Sequence, residues 1–230
     1  MAESPTAFPQ RIYQPEDGAC QVLLIRHGQS APYVPGVPFE LIDGHGDPHL
    51  TDLGHQQAQW VAKRLAHEPI AAVYTSTLTR TKQTAAPLCE RRGLTPAVEA
   101  DLREAFLGEF EGGLFRQRAE EGHPAVLAMR AESEWGEIPG AETNAQLTAR
   151  TIDAVTRIAK AHPGEMVAAF CHGGVIGAVL GALSGTSPFT FMGARHTSIN
   201  HVVLNPSGWV IRSFNDSSHI GTVAVDRQID

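Results

Sequence analysis

Cysteine is scarce in this sequence of 230 residues. Cys20, Cys89 and Cys171 form no CxxC pair and no even framework, which argues against a disulfide scaffold and suits a reducing compartment. Positive charge is also in short supply. A formal net charge of −7 offers no field to draw in phosphate backbones, so no nucleic-acid partner is expected. No apolar run approaches the length of a bilayer span. The longest, residues 173–183, is interrupted by Gly173, Gly174, Gly177 and Gly181, and no membrane association is expected. The opening Met-Ala-Glu-Ser-Pro is acidic and proline-bearing with no apolar core, unlike a signal peptide, so a cytoplasmic location is the expectation. G-x-S-x-G elbows, Walker-type glycine loops, internal repeats and low-complexity tracts are all missing.

A hydrophobic content of 42% is ample for a core. One domain is expected over residues 19–230, behind a loose arm at 1–18 that is rich in Pro, Glu and Gln. Residues 20–25, 70–75 and 165–171 read as buried strands. Thr51 suits the N-cap of a helix on which Leu53, Ala58, Val61, Ala62 and Leu65 recur at helical spacing. Further helices are expected over 78–92, stopped by Gly93, over 142–162, stopped by Pro163-Gly164, and over 173–183. A weak strand lies near 97–99, and strands at 199–204 and 209–214 are joined by the hairpin signal Asn205-Pro-Ser-Gly. Strands alternating with helices indicate the α/β class: three layers, α/β/α, with a mostly parallel central sheet flanked by helices. The glycine- and proline-rich stretches 31–49 and 105–140 are expected as lid-like insertions. The first reads as an ordered loop without elements, and the second as carrying one helix.

Ligands of open parallel sheets sit beyond the carboxyl ends of the strands. Three of the expected strands end in reactive sequence: Ile25-Arg26-His27-Gly28, Tyr74-Thr-Ser76-Thr-Leu-Thr-Arg80 and Phe170-Cys-His172-Gly173-Gly174. Glycine after each histidine lets the backbone approach a ligand, and a helix opening at Gly173 aims free N–H groups at an anion. Arg26 and Arg80 have the planar fork that binds phosphate oxygens in pairs. A lone histidine at a strand end is ordinarily structural, and an arginine early in a helix is ordinarily solvated. The combination is what points to a phosphate pocket.

Leu24-Ile-Arg26-His27-Gly28-Gln29-Ser30 resembles the Arg-His-Gly signature of the histidine phosphatase (phosphoglycerate mutase-like) superfamily. The resemblance continues in order through Leu50-Thr-Asp-Leu-Gly54-His-Gln-Gln57-Ala58, Ser76-Thr-Leu78-Thr-Arg80-Thr-Lys-Gln-Thr84-Ala85, Leu102-Arg103-Glu104 to Gly112, and Cys171-His172-Gly173-Gly174. It implies a phosphatase acting on a small phosphorylated metabolite through a phosphohistidine on His27, with no metal and no cofactor. Arg26, Arg80 and His172 would hold the non-bridging oxygens, with Ser30 and Gly173 as further substrate contacts. Glu104 would protonate the leaving oxygen and then activate water. The Asn that many members carry after Arg-His-Gly is replaced here by Ala31-Pro-Tyr-Val-Pro.

The same resemblance leaves phosphoglycerate mutase-type transfer and non-catalytic phosphate binding as alternatives. Ala-Phe-Leu-Gly after Glu104, with Glu109 and Glu111 close by, disfavours a triply anionic substrate and hence the mutase. Glu109, Glu111, Glu120 and Glu121 read as a solvated acidic face. His45, His49 and His55 lack metal-ligand spacing on one element. Cys171 reads as a core residue, and His219 resembles a C-terminal element of family phosphatases. Homo-oligomerisation is left open.

Overall fold

The structure, a computed structural model, describes residues 8–220. The expected loose arm and single domain extend beyond these at residues 1–7 and 221–230. Among the described residues, Cys20–Arg26 (β1) is the middle of a six-stranded sheet. Met166–Cys171 (β6) and Ile70–Thr75 (β4) follow on one side, and Ala97–Val98 (β5) forms the edge. These four strands are parallel. Ile199–Asn205 (β7) lies antiparallel on the other side of β1, and Gly208–Asp216 (β8) returns against it through the expected hairpin.

The side-chain alternation of β1 sorts the helices into two layers, because successive residues of a strand face opposite sides. Leu23 and Ile25 pack with Val61, Ala62, Ala85 and Leu88 from Asp52–Arg64 (α1) and Thr79–Arg92 (α2), and with Leu65 at the C-terminal cap of α1. Val22 and Leu24 pack with Val155, Ile158, Ile176 and Val179 from Asn144–Ala161 (α5) and Gly173–Ser184 (α6). The result is the three-layer α/β/α arrangement with a mostly parallel sheet. Thr51 caps α1 as expected, accepting from the Gly54 N–H at 3.0 Å, but Leu53 faces water. Gly54, Gln57, Ala58, Val61 and Ala62 form the buried face.

Both insertions are more structured than the sequence reading expects. Residues 31–49 contain a small antiparallel hairpin, Leu41–Ile42 (β2) and His45–Gly46 (β3), turning through Asp43 and Gly44 with positive φ. The short strands escaped a reading that looked for apolar runs. Residues 105–140 carry two helices, Leu114–Glu120 (α3) and Pro124–Glu132 (α4), where one was expected. Val126, Met129, Trp135 and Ile138 give them a core of their own against Leu147 of α5 and Ala178 of α6. Glu111 does not belong to a solvated acidic face. Its carboxylate accepts from the Gly46 N–H at 2.7 Å and the Leu107 N–H at 2.9 Å, tying the two insertions together.

Of the expected arm, Tyr13 and Glu16 lie against the terminal hairpin. The Glu16 N–H donates to Asn205 Oδ1 at 3.1 Å, and Arg212 sits 4.0 Å above the Tyr13 ring. Among the described residues no helix is long and apolar enough to cross a membrane.

Candidate active site

Parallel register brings the two signature histidines together. Arg26 pairs with Cys171, so the next residues, His27 and His172, leave the sheet side by side at its carboxyl edge. The His27 N–H donates to Cys171 O at 3.0 Å, and the two ring centroids are 5.1 Å apart. His27 Nδ1 lies 2.7 Å from the Gly28 carbonyl oxygen. A carbonyl can only accept, so Nδ1 carries the proton and Nε2 the lone pair. Burial holds the His27 pKa well below its ordinary value, and the nearby Arg80 and Arg26 cations push the same way, as does His196. His172 is likewise lowered, by burial first and then by Arg80 and His27. Its Nε2 is held 2.9 Å from Ser76 Oγ, while Nδ1 is buried without a hydrogen-bond partner among the described residues. Cys171 is fully buried with a raised pKa and belongs to the core.

Two guanidinium groups flank the pair. Arg26 Nη1 donates to Ala194 O at 2.6 Å. Arg80, on the first turn of α2, is buried, and burial pushes its pKa down to about 10, which still leaves a cation at neutral pH. Its Nη1 donates to Gly46 O at 2.9 Å and lies 3.9 Å from the Asp47 carboxylate. Asp47 in turn accepts from the Thr79 N–H at 2.8 Å and from Thr79 Oγ1 at 2.6 Å. The insertion is therefore latched onto a pocket arginine. Ser30 is buried, and its Oγ accepts from Arg116 Nη2 of α3 at 2.9 Å.

Glu104 reaches the same edge from the segment after β5. Its Oε1 accepts from the Gly174 N–H at 2.9 Å and from its neighbour Ala105 N–H at 2.9 Å. The N-terminus of α6, expected to aim its free N–H groups at a ligand, points the Gly174 N–H at the protein's own Glu104 side chain. Glycine at 174 leaves room for this approach, since a Cβ there would come 2.5 Å from Glu104 Oε1 and displace the carboxyl group. One built on Gly173 would sit 3.7 Å from Arg26 Nε and 4.0 Å from Glu104 Oε2. Gly28 serves a different purpose from the expected ligand approach. A Cβ on it would meet Gly54 O at 2.6 Å, so the glycine lets the start of α1 close onto the signature loop.

All five signature side chains, His27, His172, Arg26, Arg80 and Glu104, gather around one sheet edge, with Ser30 and Gly173 beside them. The sequence reading missed His196, a buried ring 6.0 Å from His27, and Arg116. It also missed Ser76 as the partner of His172. His196 lies in a turn before β7 whose next residue, Thr197, holds a left-handed φ of 57° while its N–H donates to Arg26 O at 3.0 Å. No motif flags this turn. His219 Nε2 lies 3.4 Å from Thr197 Oγ1. Among the described residues no three His, Cys, Asp or Glu side chains are grouped to hold a metal ion, so His45, His49 and His55 do not converge.

Fold and site together define an α/β protein with two buried histidines side by side, flanked by two arginines, at the carboxyl edge of a parallel sheet. The family model of the histidine phosphatase superfamily (branch 1) matches residues 22–217, and the chain belongs to that superfamily. It is 34% identical over 212 residues to a metal-independent phosphoserine phosphatase of Arabidopsis thaliana, covering 90% of this chain and 86% of that protein. It is 32% identical over 204 residues to phosphoglycerate mutase-like protein 4 of the same plant, covering 87% and 86%. Among solved structures, a mycobacterial glucosyl-3-phosphoglycerate phosphatase superposes with a TM-score of 0.72 at 27% identity, covering 86% of this chain and 99% of that one.

Proposed function

We propose that this chain is a phosphomonoesterase that hydrolyses a small phosphorylated metabolite in two steps through a phosphohistidine on His27. The observation that carries the reading is the fixed tautomer of His27. With Nδ1–H on the Gly28 carbonyl and the ring kept neutral, Nε2 offers its lone pair beside two guanidinium groups. In the first step Nε2 bonds to phosphorus and the ester P–O bond breaks. Glu104 gives its proton to the departing oxygen, while Arg26, Arg80 and His172 hold the non-bridging oxygens. In the second step water attacks phosphorus, Glu104 takes the water's proton, the P–N bond breaks, and inorganic phosphate leaves. No metal or cofactor is invoked.

The kinship supports hydrolysis. The relative at 34% identity is a phosphoserine phosphatase by name, and the similar solved structure is a sugar phosphoglycerate phosphatase. Phosphoserine therefore heads the panel of phosphorylated metabolites to be screened. The deciding experiment is acid-free quenching with labelled substrate. It should trap a phosphoenzyme stable in alkali and labile in acid, with label passing mainly to water. His27→Ala should abolish both label and turnover. Label on Ser30, Ser76 or a carboxylate would overturn the mechanism, and transfer mainly to a phosphoglycerate acceptor would make the chain a mutase.

A further inference from the structure

Glu104 sits in a stretch with no ladder hydrogen bonds of its own. A short 3-10 turn spans Ala100–Leu102, and extended backbone follows at Arg103. Such a stretch would leave a side chain free to wander. The Gly174 N–H bonds the Glu104 carboxyl group directly at 2.9 Å, but the backbone that carries that group must be held from outside the stretch to the fraction of an ångström that proton transfer demands.

That restraint comes from α5. Arg150 Nη1 donates to the carbonyl oxygens of Asp101 at 2.7 Å and Arg103 at 2.8 Å, and Nη2 donates to the carbonyl oxygen of Glu104 itself at 2.9 Å. The other side of the guanidinium grips Glu142, Nε to Oε1 at 2.7 Å and Nη2 to Oε2 at 2.8 Å. Glu142 then pins the far side of Glu104. Its N–H donates to Phe106 O at 2.9 Å, and its carboxylate accepts from the Phe106 N–H at 3.3 Å. The backbone is thus held at 101, 103 and 104 by one side chain and at 106 by its ion-pair partner. Both are largely buried, with side-chain exposures of 20% and 12%.

The anchor itself is stiff. Thr143 and Gln146 close a capping box at the start of α5, and Leu147, Thr151, Ala154, Val155 and Ile158 are buried along it. We infer that Arg150, locked to Glu142, is the positioning residue for Glu104, transmitting the rigidity of α5 to the proton-transfer group. The inference rests on the reading of Glu104 as acid and base given above. A planar fork with five N–H donors is what the geometry requires. A lysine ammonium keeps the charge but presents three donors from one point and cannot span three carbonyls and a carboxylate in a plane.

A structural tie and a positioning tie differ in what they do to leaving groups. The quantity to measure is kcat/KM, which reports only the steps through departure of the first product. Arg150→Lys, folded by circular dichroism, should lose about tenfold or more on alkyl phosphates and less than about threefold on p-nitrophenyl phosphate. Adding Arg150→Lys to Glu104→Gln should cost little further on alkyl esters, because the group being positioned is already gone. Glu142→Gln, which frees one side of the guanidinium, should repeat the selectivity of Arg150→Lys more weakly and serves if the latter does not fold. Equal losses on both ester types, full activity, or additive losses in the double variant would overturn the inference. Glu104→Gln alone separates the two claims: if it shows no leaving-group selectivity, the acid assignment fails first.

Discussion

His27 and His172 leave the ends of two strands that pair in register from Gln21 with Met166 to Arg26 with Cys171. Glu104 and the residues expected to meet the rest of the substrate stand instead on turns and on two insertions held by side chains. The two histidines proposed to meet the phosphoryl group take their positions from a backbone ladder in a buried sheet. Around Glu104 and the insertions, guanidinium forks and carboxylates do the holding: Arg150 on 101–104, Arg80 on Gly46, Asp47 on Thr79, Glu111 on Gly46 and Leu107, and Arg116 on Ser30. The two histidines are thereby fixed by many backbone hydrogen bonds at once. Glu104 and the insertions are fixed by side-chain ties, each of which a single substitution removes.

If the two regions are separable in this way, Glu104→Gln should be sensitive to the leaving group. A loss of about a hundredfold in kcat/KM is expected on alkyl phosphates, with a much smaller one on p-nitrophenyl phosphate, whose oxygen leaves without a proton. Equal losses on both would merge the two regions and move attention to Glu109.

The histidine pair should also carry much of the pH dependence of stability. His27 and His172 are held well below the ordinary value of 6.5 when folded, so between the two values the unfolded chain binds protons that the folded chain refuses. Their contribution is complete above about pH 6.5 and is lost progressively as pH falls below it. His201 and His219 are lowered too and add in the same direction. Thermal melts should therefore show a drop between pH 7.5 and 5 that is smaller in His27→Gln. An identical drop in the variant would mean that the sheet-edge histidines are not its seat.

The smallest effect is expected at the insertions. Arg116 is exposed, lies 5.4 Å from the Phe39 ring centroid and holds Ser30 Oγ. Arg116→Ala should raise KM about fivefold with kcat nearly unchanged, as expected when an interaction is present equally in the ground and transition states. A large fall in kcat would instead draw α3 into the chemistry.

The layers and the sheet-edge residues were legible because each rests on local pattern. Apolar runs made strands, Thr51 and Gly93 marked helix ends, and a histidine and a glycine after a strand marked its reactive edge. The insertions were less legible. The β2–β3 hairpin has only two residues to a strand, and α3 and α4 depend on a core shared with Leu147 and Ala178, far away in sequence. Leu53 kept the helical spacing yet faces water, since spacing gives a face but not what covers it.

Sequence alone therefore determined which strands would carry the signature residues, because strand and helix periodicity is a property of neighbours along the chain; the phosphoryl chemistry was what their family resemblance implied. Only the tertiary structure decided that Gly28 makes room for Gly54, that Ser76 holds His172, that His196 stands beside His27, and that Arg150 reaches 46 residues back to the carbonyl of Glu104. Those contacts join segments distant in sequence. A guanidinium or hydroxyl carries no local mark of the partner that packing will bring within hydrogen-bond reach.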